Sequence, residues 1–501
     1  MKPPFSSLLI ANRGEIAVRI ARACRELGIR SVAVFSQADV GALHAQVADE
    51  AIEIGPAEAS RSYLSIERIL DTAKQSRAQA LHPGYGFLAE NADFAEAVSA
   101  AGIVWVGPPP AAMRAMGDKA KARALMKKAG VQVIPGYQGK DDAAFLKKAA
   151  AEIGFPILVK AAAGGGGVGQ RVVGKASELT ETVDAARREA ENAFGDKRLI
   201  LEKYLSEARH VEFQVLGDQH GKLLHLFERE CSLQRRRQKI VEESPSPLLD
   251  VKLRTEMGAA ALAAAGEVGY TNAGTVEFLV EPKTRNFYFL EMNTRLQVEH
   301  PVTELVCGLD IVQWQLRIAA GEKLPFAQKE LEQHGHAIEC RIYAEDAAAG
   351  FLPQAGRVHK MLLPAGAEIR VDSGVSDGTE VGVHYDPLLA KVIVHGADRP
   401  AALKRMKEAL SETAFLGLTT NIEFLQDLLA HARVQDGRMD THFVESEFAN
   451  WSPKGDLPSE VLLAAALIEL QGENGQEETS PETDPYSPWG RRDSFRIGGS
   501  G

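Results

Sequence analysis

The first part of the chain alternates short apolar runs with stretches whose apolar residues recur at helical spacing. Residues 8–10 are continuously apolar, as in a buried strand, and apolar residues between 16 and 27 recur every three or four positions. Gly28 follows, as at the end of a helix, and residues 32–35 form the next apolar run. The alternation continues to about residue 117, which predicts a parallel sheet with helices on its faces.

The pattern changes several times further along the chain. Residues 118–129 have helical spacing, and residues from about 133 to 204 are typical of a small α/β unit. From residue 210 onward the apolar runs lengthen, as in antiparallel strands. Residues 335–447 predict a further sheet with helices, and the acidic, proline-containing residues 471–487 predict a linker. The fold class is therefore mixed, α/β followed by α+β.

Four consecutive glycines, Gly164–Gly167, precede Val168 and Gly169 and satisfy the pattern G-x-G-x-x-G. A dinucleotide-binding loop would open a helix, but residues 170–173 are strand-like, and a P-loop would have a lysine where Gln170 stands. The stretch therefore predicts a hairpin with a glycine tip. Its exposed backbone N–H groups could bind phosphate, or the tip could be an ordinary mobile surface loop.

Residues 274–293 contain two strand-like runs around a turn. Closing this hairpin symmetrically about Thr284 places Glu277 opposite Glu291, with Cβ atoms about 4.5–5.5 Å apart, and Asn293 on the same face. Two carboxylates this close need a cation or a shared proton, and oxygen ligands favour Mg²⁺ or Mn²⁺. The alternative is a solvated strand face without metal, since a one-residue register shift separates the pair.

The stretch after this hairpin places polar residues at alternate positions. Arg295, Gln297 and Glu299 would share a face with Glu291 if residues 294–299 were a strand. A cation, an amide and a carboxylate beside a metal pair indicate a site for a small anion with a general base. The alternative is a salt-bridged edge strand.

Three other stretches contain candidate binding residues, and each stretch also has an explanation without a ligand. The basic run 231–239, which ends at Lys239, could bind an anion or could be a solvated face. Lys119 stands at a predicted helix start, where a cation is unfavourable unless an anion is bound there too. The turn-rich residues 81–91 could form the rim of a ligand site or simply a tight turn.

Composition narrows the classes of protein. The 501 residues are enough for two to four domains, and the net charge of −11 argues against a general nucleic-acid binder. The four cysteines, with no C-x-x-C pair, suit a reducing compartment. No apolar stretch has the length of a signal peptide core or a membrane span, so we expect a cytoplasmic protein.

Taken together, these stretches resemble a biotin carboxylase, an enzyme with the ATP-grasp fold. The resemblance covers residues 5–447 and rests on these motifs in order: ANRGEIAVRI, HPGYGFLAEN, MGDKA, KAAAGGGG, EKYLSEARHVEFQVL, ERECSLQRRRQK, GTVEFL, EMNTRLQVEHPVTE, GHAIECRIYAED and FLPQAGRV.

The resemblance implies a role for each candidate residue. The expected ATP-binding residues are Lys119, Lys160, Gly164, Gly165, Gly166, Gly167, Glu202, Lys203, Leu205, His210 and Gln234. The expected ligands of Mg²⁺ or Mn²⁺ are Glu277, Glu291 and Asn293. The expected bicarbonate site is Lys239, Arg295, Gln297 and the backbone of Val298, and the expected biotin site is Tyr85, Gly86 and Arg341. The expected catalytic residues are Glu299, as general base, with Arg341, Lys239 and Arg295.

The resemblance also implies the domain organisation. We expect a Rossmann-like N-terminal domain over residues 1–117 and an ATP-grasp domain over 118–330, whose lid, about 133–204, carries the mobile glycine loop. A C-terminal biotin carboxylase domain over 331–448 and a tail over 449–501, leading towards further domains, would complete the chain.

The implied reaction is ATP-dependent carboxylation of biotin through carboxyphosphate. The Met-Lys-Met motif that carries biotin is absent, so biotin would arrive on a carrier domain or protein. Residues 487–497 resemble the region that follows the carboxylase domain in α subunits of acyl-CoA carboxylases, which implies that the chain is truncated from such an α subunit. The expected partners are therefore the biotin carrier and a carboxyltransferase subunit. A homodimer or larger assembly is expected, without nucleic acid or membrane.

The sequence departs from the family pattern at one position, and two other functions are possible alternatives. Arg237 occupies a position near the ribose where many members have His, which bears on nucleotide contacts. Another ATP-grasp ligase would share the glycine loop and the metal hairpin, but the stretch RLQVEHP together with ECRI favours bicarbonate and biotin. An inactive scaffold would have lost some of these charged residues, and none is missing.

Overall fold

The computed structural model describes residues 5–453 except 138, 140, 141 and 163–169, and beyond 453 only residues 461, 463, 464 and 467. Met1–Trp451 form one compact unit, and the chain after it forms a second, whose described residues are exposed and, at 461, 463, 464 and 467, helical. The glycine tip Gly164–Gly167 and the predicted linker 471–487 lie outside the described residues. Among the described helices, none has the length and apolar character needed to cross a bilayer.

A five-stranded parallel sheet begins the fold, with strand order β3-β2-β1-β4-β5. Its strands are β1 (Ser7–Ile10), β2 (Arg30–Phe35), β3 (Glu50–Glu53), β4 (Ala80–His82) and β5 (Val104–Trp105). Its helices are α1 (Gly14–Leu27), α2 (Leu43–Val47), α3 (Ile66–Gln75), α4 (Ala92–Ala100) and α5 (Pro110–Gly117). The predicted parallel sheet is confirmed, and α1 ends at Gly28, whose φ of 68° suits glycine.

A four-stranded sheet follows α6 (Lys119–Lys128), in the order β6-β9-β7-β8. Its elements are β6 (Gly136–Tyr137), α7 (Ala143–Ile153), β7 (Ile157–Ala161), β8 (Arg171–Val173), α8 (Leu179–Phe194) and β9 (Leu199–Lys203). Strands β7 and β8 pair antiparallel, so the predicted strand–glycine–strand hairpin is confirmed in its two strands.

An eight-stranded antiparallel sheet forms the largest part of the fold, in the order β14-β13-β10-β11-β12-β15-β22-β20. The strands from here on are β10 (Arg209–Gly217), β11 (Leu223–Arg235), β12 (Gln238–Ser244), β13 (Asn272–Val280), β14 (Phe287–Asn293), β15 (His336–Tyr343), β16 (Glu345–Asp346), β17 (Leu352–Pro353), β18 (Gly356–Arg357), β19 (Lys360–Leu362), β20 (Ile369–Ser373), β21 (Glu380–Val381), β22 (Leu388–Gly396) and β23 (Ala414–Leu416). The helices are α9 (Val251–Glu267), α10 (His300–Cys307), α11 (Ile311–Ala319), α12 (Arg399–Ser411), α13 (Ile422–Ala430), α14 (Ala432–Gln435) and α15 (Phe443–Glu447).

The prediction of a separate, further sheet over residues 335–447 is wrong for its main strands. Strand β15 pairs with β12 on one side and with β22 on the other, so the large sheet runs on without a break. One face of this extension is apolar and packs against α12 and α13, while the other carries Glu339, Arg341 and Lys391. Within the described part of the chain, three small two-stranded sheets accompany it.

Candidate active site

One cavity of about 1070 Å³ collects the candidate residues. Its wall includes Tyr85 from the parallel-sheet part, Lys160 from the four-stranded sheet, and Glu277 and Arg341 from the large sheet. Every predicted site residue that the structure describes lines this cavity, although these residues are spread from position 85 to position 341. The volume suits a nucleotide together with a second substrate.

The predicted pairing of Glu277 with Glu291 across the β13–β14 hairpin is confirmed. The prediction assumed that the hairpin closes symmetrically about Thr284, and the structure departs from this near the turn. Phe278 pairs with Phe289, and an extra residue, Leu290, bulges from β14. The bulge restores the expected register at the carboxylates and places Asn293 opposite Thr275. A bulge beside a site of this kind turns side chains towards the cavity.

The two facing carboxylates differ in their electrostatic surroundings. Burial, followed by the charge of Glu277, raises the pKa of Glu291. Burial also acts to raise the pKa of Glu277, but Lys239 and His210 outweigh it and hold that pKa below its usual range. Asn293 donates its side-chain amide to Glu277 at 2.8 Å. An oxygen-rich pair in which one carboxyl resists ionisation fits a divalent cation, because the cation would stabilise both charges.

A second group of possible ligand atoms lies nearby, on His210, Glu212 and Glu277. The carboxylates of this group already bind the Lys239 ammonium, at 2.5 Å from Glu212 and 2.9 Å from Glu277. That ammonium supplies positive charge between Glu212 and Glu277, whereas burial and the charge of Glu277 raise the pKa of Glu291, so a metal would be needed most beside Glu291, in the facing pair.

Lys239 connects the metal pair to the predicted general base. Its ammonium contacts Glu212 and Glu277, as described above, and it also lies 2.7 Å from Oε1 of Glu299. These carboxylates raise the pKa of Lys239 well above its usual value despite burial, which acts to lower it. Lys239 is therefore charged, and its three donors are directed into the site.

Glu212 is a site residue that the sequence analysis did not single out. It lies on β10 on the same face as His210 and Gln214, whereas Val211 and Phe213 face the core. The fully buried Arg229 donates to Oε1 of Glu212 at 2.6 Å, which leaves Oε2 for Lys239. The signal was the alternation H-V-E-F-Q in an otherwise apolar strand.

Residues 294–299 do not form the predicted strand. They form an irregular turn that enters α10, so the alternation argument for Arg295, Gln297 and Glu299 is wrong in its geometry. The side chains converge nevertheless. Arg295 donates to Oε1 of Gln297 at 2.8 Å, and Gln297 donates to Glu277 at 3.2 Å.

Glu299 is fully buried and held between two cations. Its Oε1 contacts Lys239, and its Oε2 accepts from Arg341 at 3.0 Å. Burial acts to raise the pKa of Glu299, but Lys239 and then Arg341 outweigh it and keep that pKa well below its usual value. The carboxylate is therefore ionised and able to accept a proton.

Arg341 has a second anionic partner. Its guanidinium lies 2.5 Å from the carboxylate of Glu242 on the neighbouring strand β12. Burial raises the pKa of Glu242 to about 7, although Arg341 acts against it. Arg341 thus lies between two buried carboxyl groups, and its side chain lines the cavity.

The cavity also contains a lysine pair suited to phosphates. Lys160 lies 2.5 Å from Glu202, which also binds Arg123 at 2.8 Å. Lys119 opens α6, whose N-cap is Asp118, and burial lowers its pKa while Glu291 opposes that shift. A lysine in the first turn that faces a cavity is suited to an anionic ligand.

The remaining predicted nucleotide residues line the same cavity. The Lys203 ammonium donates to the carbonyls of Gly154 and Phe155 at 3.0 Å, and Leu205 is partly exposed. Gln234 donates to Nδ1 of His210 at 2.8 Å, so that Nε2 of His210 lies 2.9 Å from Glu277.

The basic run 231–239 is not a solvated face at Arg235 and Lys239. Arg235 is buried and pairs with Glu345, and Lys239 forms the contacts described above. Arg236 and Arg237 form the turn between β11 and β12, and Arg237 lines the cavity. The run therefore contributes positive charge to the site.

Tyr85 and Gly86 follow β4 and form part of the cavity wall, as predicted for a ligand rim. Asn12 donates to the carbonyl of Tyr85 at 2.7 Å and so fixes this turn to the start of α1. The hydroxyl of Tyr85 donates to Glu15 in the first turn of that helix. The tight-turn alternative holds as well, because Gly86 has a φ of 68°.

Comparisons with known proteins agree with this geometry. The family "Biotin carboxylase, N-terminal domain" matches residues 4–113, "Carbamoyl-phosphate synthase L chain, ATP binding domain" matches 118–327, and "Biotin carboxylase C-terminal domain" matches 339–446. The fold and the site thus define an ATP-grasp enzyme.

Several relatives are similar over almost the whole chain. The α subunit of mitochondrial methylcrotonoyl-CoA carboxylase from Oryza sativa subsp. japonica is 51% identical over 98% of this chain and 68% of its own length. The mitochondrial propionyl-CoA carboxylase α chain of Homo sapiens is 47% identical over 89% of this chain and 61% of its own. The chain spans between 61% and 71% of the methylcrotonoyl-CoA carboxylase subunits that it matches.

Solved structures give the same result. The biotin carboxylase domain dimer of Hydrogenobacter thermophilus 2-oxoglutarate carboxylase, in complex with MgADP, ADP and bicarbonate, has a TM-score of 0.86 and 45% identity, and the match covers 90% of this chain and 99% of that one. Biotin carboxylase from Campylobacter jejuni has a TM-score of 0.85 at 45% identity, over 88% of this chain and 98% of that one. The chain belongs to the biotin carboxylase family, whose members are ligases that carboxylate biotin with bicarbonate and ATP.

Proposed function

We propose that the buried cluster around Lys239 is the site where this biotin carboxylase activates bicarbonate. The observation that carries the proposal is the position of one ammonium between Glu277, in the candidate metal pair, and Glu299, in the candidate base. Gln297 donates to Oε1 of Glu277, the oxygen that Lys239 also contacts, and Arg295 donates to Gln297, so both residues supply further donors beside Lys239. Bicarbonate would bind among Lys239, Arg295, Gln297 and the backbone of Val298.

Glu299 has the charge state that a general base needs. It would take the bicarbonate proton, and the resulting oxyanion would attack the γ-phosphate of ATP to give carboxyphosphate. A base with a depressed pKa is weak, but a substrate anion that shares Lys239 and Arg341 would draw both cations away and raise that pKa. General base catalysis of this kind contributes about 10²–10⁴-fold to a rate.

The nucleotide would lie against the lysine pair. Lys119 and Lys160 line the cavity and would hold its phosphates, with Glu202, Lys203, Leu205, His210 and Gln234 as further contacts. The role of a covering loop for Gly164–Gly167, which lie outside the described residues, rests on the resemblance to the family alone. Glu277, Glu291 and Asn293 would hold Mg²⁺ or Mn²⁺. When bound, the metal neutralises charge that develops on the transferred phosphoryl group.

Biotin would enter beside Tyr85, Gly86 and Arg341. Carboxyphosphate breaks down to CO₂ and phosphate, the phosphate takes the ureido proton of biotin, and the biotin nitrogen then attacks CO₂. The Arg341 guanidinium would stabilise the negative oxygen of the enolate form of biotin, because it lies on the cavity wall and keeps its charge.

We also propose the domain boundaries and partners. The family matches at 4–113, 118–327 and 339–446 support domains over 1–117, 118–330, with a lid at about 133–204, and 331–448, followed by a tail over 449–501. Relatives named as α subunits or α chains of carboxylases support assembly with a carboxyltransferase subunit and with a biotin carrier domain. A relative structure described as a dimer supports a homodimer. A cytoplasmic location remains a prediction, because several of these relatives are named mitochondrial.

The test is ATP hydrolysis as a function of bicarbonate concentration, with Mg²⁺, in the wild type and in Glu299→Gln. The variant is expected to lose bicarbonate-dependent turnover by about 10²-fold or more. The matched control is Glu228→Gln, a buried glutamate on the same sheet that pairs with Arg254 outside the cavity, and it is expected to retain turnover. Turnover that does not depend on bicarbonate would reject the proposed function.

A further inference from the structure

Lys391 is a charged residue inside an apolar strand. It lies on β22 in the sequence LLAKVIV and is fully buried. Burying an ammonium costs several kcal/mol unless good partners surround it. An apolar side chain would be the ordinary choice at such a position, so the partners of Lys391 indicate what the charge does.

The partners of Lys391 come from three distant parts of the chain. Its ammonium donates to the carbonyl of Val298 at 2.8 Å, lies 3.1 Å from Oε1 of Glu15 and lies 3.8 Å from Asp372. Val298 stands between Gln297 and Glu299 in the irregular turn that enters α10. Among the described residues this turn pairs with no strand, so its backbone is held by single hydrogen bonds, from Lys391 to the Val298 carbonyl and between His300 and the Gln297 carbonyl.

Glu15 extends the contact to Tyr85, which also lines the cavity. The same oxygen, Oε1, also accepts the hydroxyl of Tyr85, while Oε2 has no hydrogen-bond partner among the described residues. Burial raises the pKa of Glu15, and Lys391 opposes that shift. One buried carboxylate oxygen therefore joins the Tyr85 rim to the ammonium that holds the turn.

A close backbone approach holds this arrangement together. Gly374 lies directly after β20, and a Cβ at this position would lie 2.6 Å from the backbone nitrogen of Glu15. Only glycine lets the start of α1 approach the end of that strand so closely. The distance between Glu15 and Lys391 is thus set by the backbone as well as by charge.

We propose that Lys391 is a positioning residue that couples the acceptor rim to the bicarbonate turn. It holds the Val298 carbonyl, and with it the directions of Gln297 and Glu299, and it transmits displacements of Tyr85 through Glu15. Entry of biotin against Tyr85 thereby adjusts the turn that activates bicarbonate. The inference rests on the proposed function, because it assigns the turn to bicarbonate.

The test is steady-state ATP hydrolysis with bicarbonate and ATP varied separately, with and without free biotin. Lys391→Met is expected to raise the KM for bicarbonate about tenfold or more, since small displacements of a catalytic turn are costly. The KM for ATP is expected to stay within about twofold, and the stimulation by biotin to fall by about fivefold or more. A purely structural role would lower activity without this split between the two KM values.

Two further variants keep the test decisive if Lys391→Met does not fold. Lys391→Met leaves the Glu15 carboxylate buried without its cation, so the double variant Glu15→Gln/Lys391→Met removes both charges together and is expected to show the same split. Tyr85→Phe keeps both charges of the ion pair but removes the hydroxyl that donates to Oε1 of Glu15, so Glu15 can shift against Lys391. It is expected to raise the KM for bicarbonate about threefold or more even without biotin.

The control is Arg254→Met, which breaks a partly buried pair, with the buried Glu228, away from the cavity and is expected to keep both KM values. The inference is overturned if the folded Lys391 variants keep the bicarbonate KM and the biotin stimulation within about twofold of the wild type. If neither folds, an unchanged bicarbonate KM in Tyr85→Phe overturns it. A wild type without bicarbonate-dependent turnover would instead reject the proposed function itself.

Discussion

The ammonium of Lys239 lies 2.7 Å from Oε1 of Glu299 and 2.9 Å from Oε1 of Glu277. A single cation thus joins the candidate base to the candidate metal pair in a buried site. Such a cation can bind an entering anion first. The anion takes the place of a carboxylate beside the ammonium, so the ammonium keeps a negatively charged partner throughout.

Replacing Lys239 should therefore weaken bicarbonate use more than ATP use. In Lys239→Gln, we expect kcat/KM for bicarbonate to fall by about 10²–10³-fold, the range seen when one preorganised donor to a developing charge is removed. The measurement is phosphate release at varied bicarbonate and saturating ATP. The control is Lys252→Gln, whose side chain is 86% exposed. Retention of activity within about threefold would contradict the role of Lys239.

The facing carboxylates predict a metal requirement that depends on Glu291. Burial and the charge of Glu277 raise the pKa of Glu291, and a bound cation would offset both effects. Replacing Glu291 by Gln leaves the pair with one anionic ligand. In Glu291→Gln, we expect the affinity for Mn²⁺ in the presence of ADP to fall by about tenfold or more, measured by electron paramagnetic resonance of free Mn²⁺. Glu281→Gln, in the turn of the same hairpin, is the control. Equal Mn²⁺ affinity in both variants would rule out the pair as the metal site.

Stability should depend on pH through Glu243. Burial acts to raise its pKa, but hydrogen bonding to His336 and the charge of Arg399 lower it from its ordinary value of 4.5 to about 2. Because the folded-state pKa is the lower one, this stabilisation is present above about pH 4.5 and is lost as the pH falls towards about 2. Its full size is at most about 3 kcal/mol.

The measurement is the free energy of unfolding by denaturant at several pH values between 7 and 3. The stability difference between the wild type and Glu243→Gln is expected to shrink as the pH falls below about 4.5. Glu408→Gln removes an exposed glutamate of α12 and should give a small difference at every pH. A Glu243→Gln difference that stays constant down to pH 3 would show that the Glu243 carboxylate has no depressed pKa.

Arg341 should matter for carboxyl transfer more than for cleavage of ATP. Its guanidinium faces the cavity between Glu299 and Glu242. In Arg341→Gln, we expect the yield of carboxybiotin per phosphate released to fall by about 10²-fold, because the enolate oxygen loses its cation. An unchanged ratio would mean that biotin is held elsewhere.

Much of the fold and site follows from local pattern. The parallel sheet, the two strands of the glycine hairpin and the Glu277–Glu291 pair were predictable, because alternation and turn chemistry within one hairpin determine which side chains face each other. The roles of most other residues that line the cavity follow from the resemblance to a family rather than from spacing.

The rest depends on contacts between distant segments. The spacing of residues 294–299 does not distinguish a strand from the turn that the structure shows. The signal that was missed is Pro301 in the first turn of α10, which is typical of a helix start. The pairing of β12 with β15 joins strands far apart in the chain, which local periodicity cannot predict. Lys391 did give a signal, a charge inside an apolar run, but its partner Glu15 could not be identified without the fold.

The measurement that tests the central claim most directly is transfer of ¹⁴C from bicarbonate to free biotin. With ATP and Mg²⁺, the wild-type chain should form acid-labile labelled carboxybiotin, and omission of ATP or the change Glu299→Gln should reduce the label by about 10²-fold or more. Labelling that does not need ATP, or that survives Glu299→Gln, would contradict the account of bicarbonate activation at the Lys239 cluster.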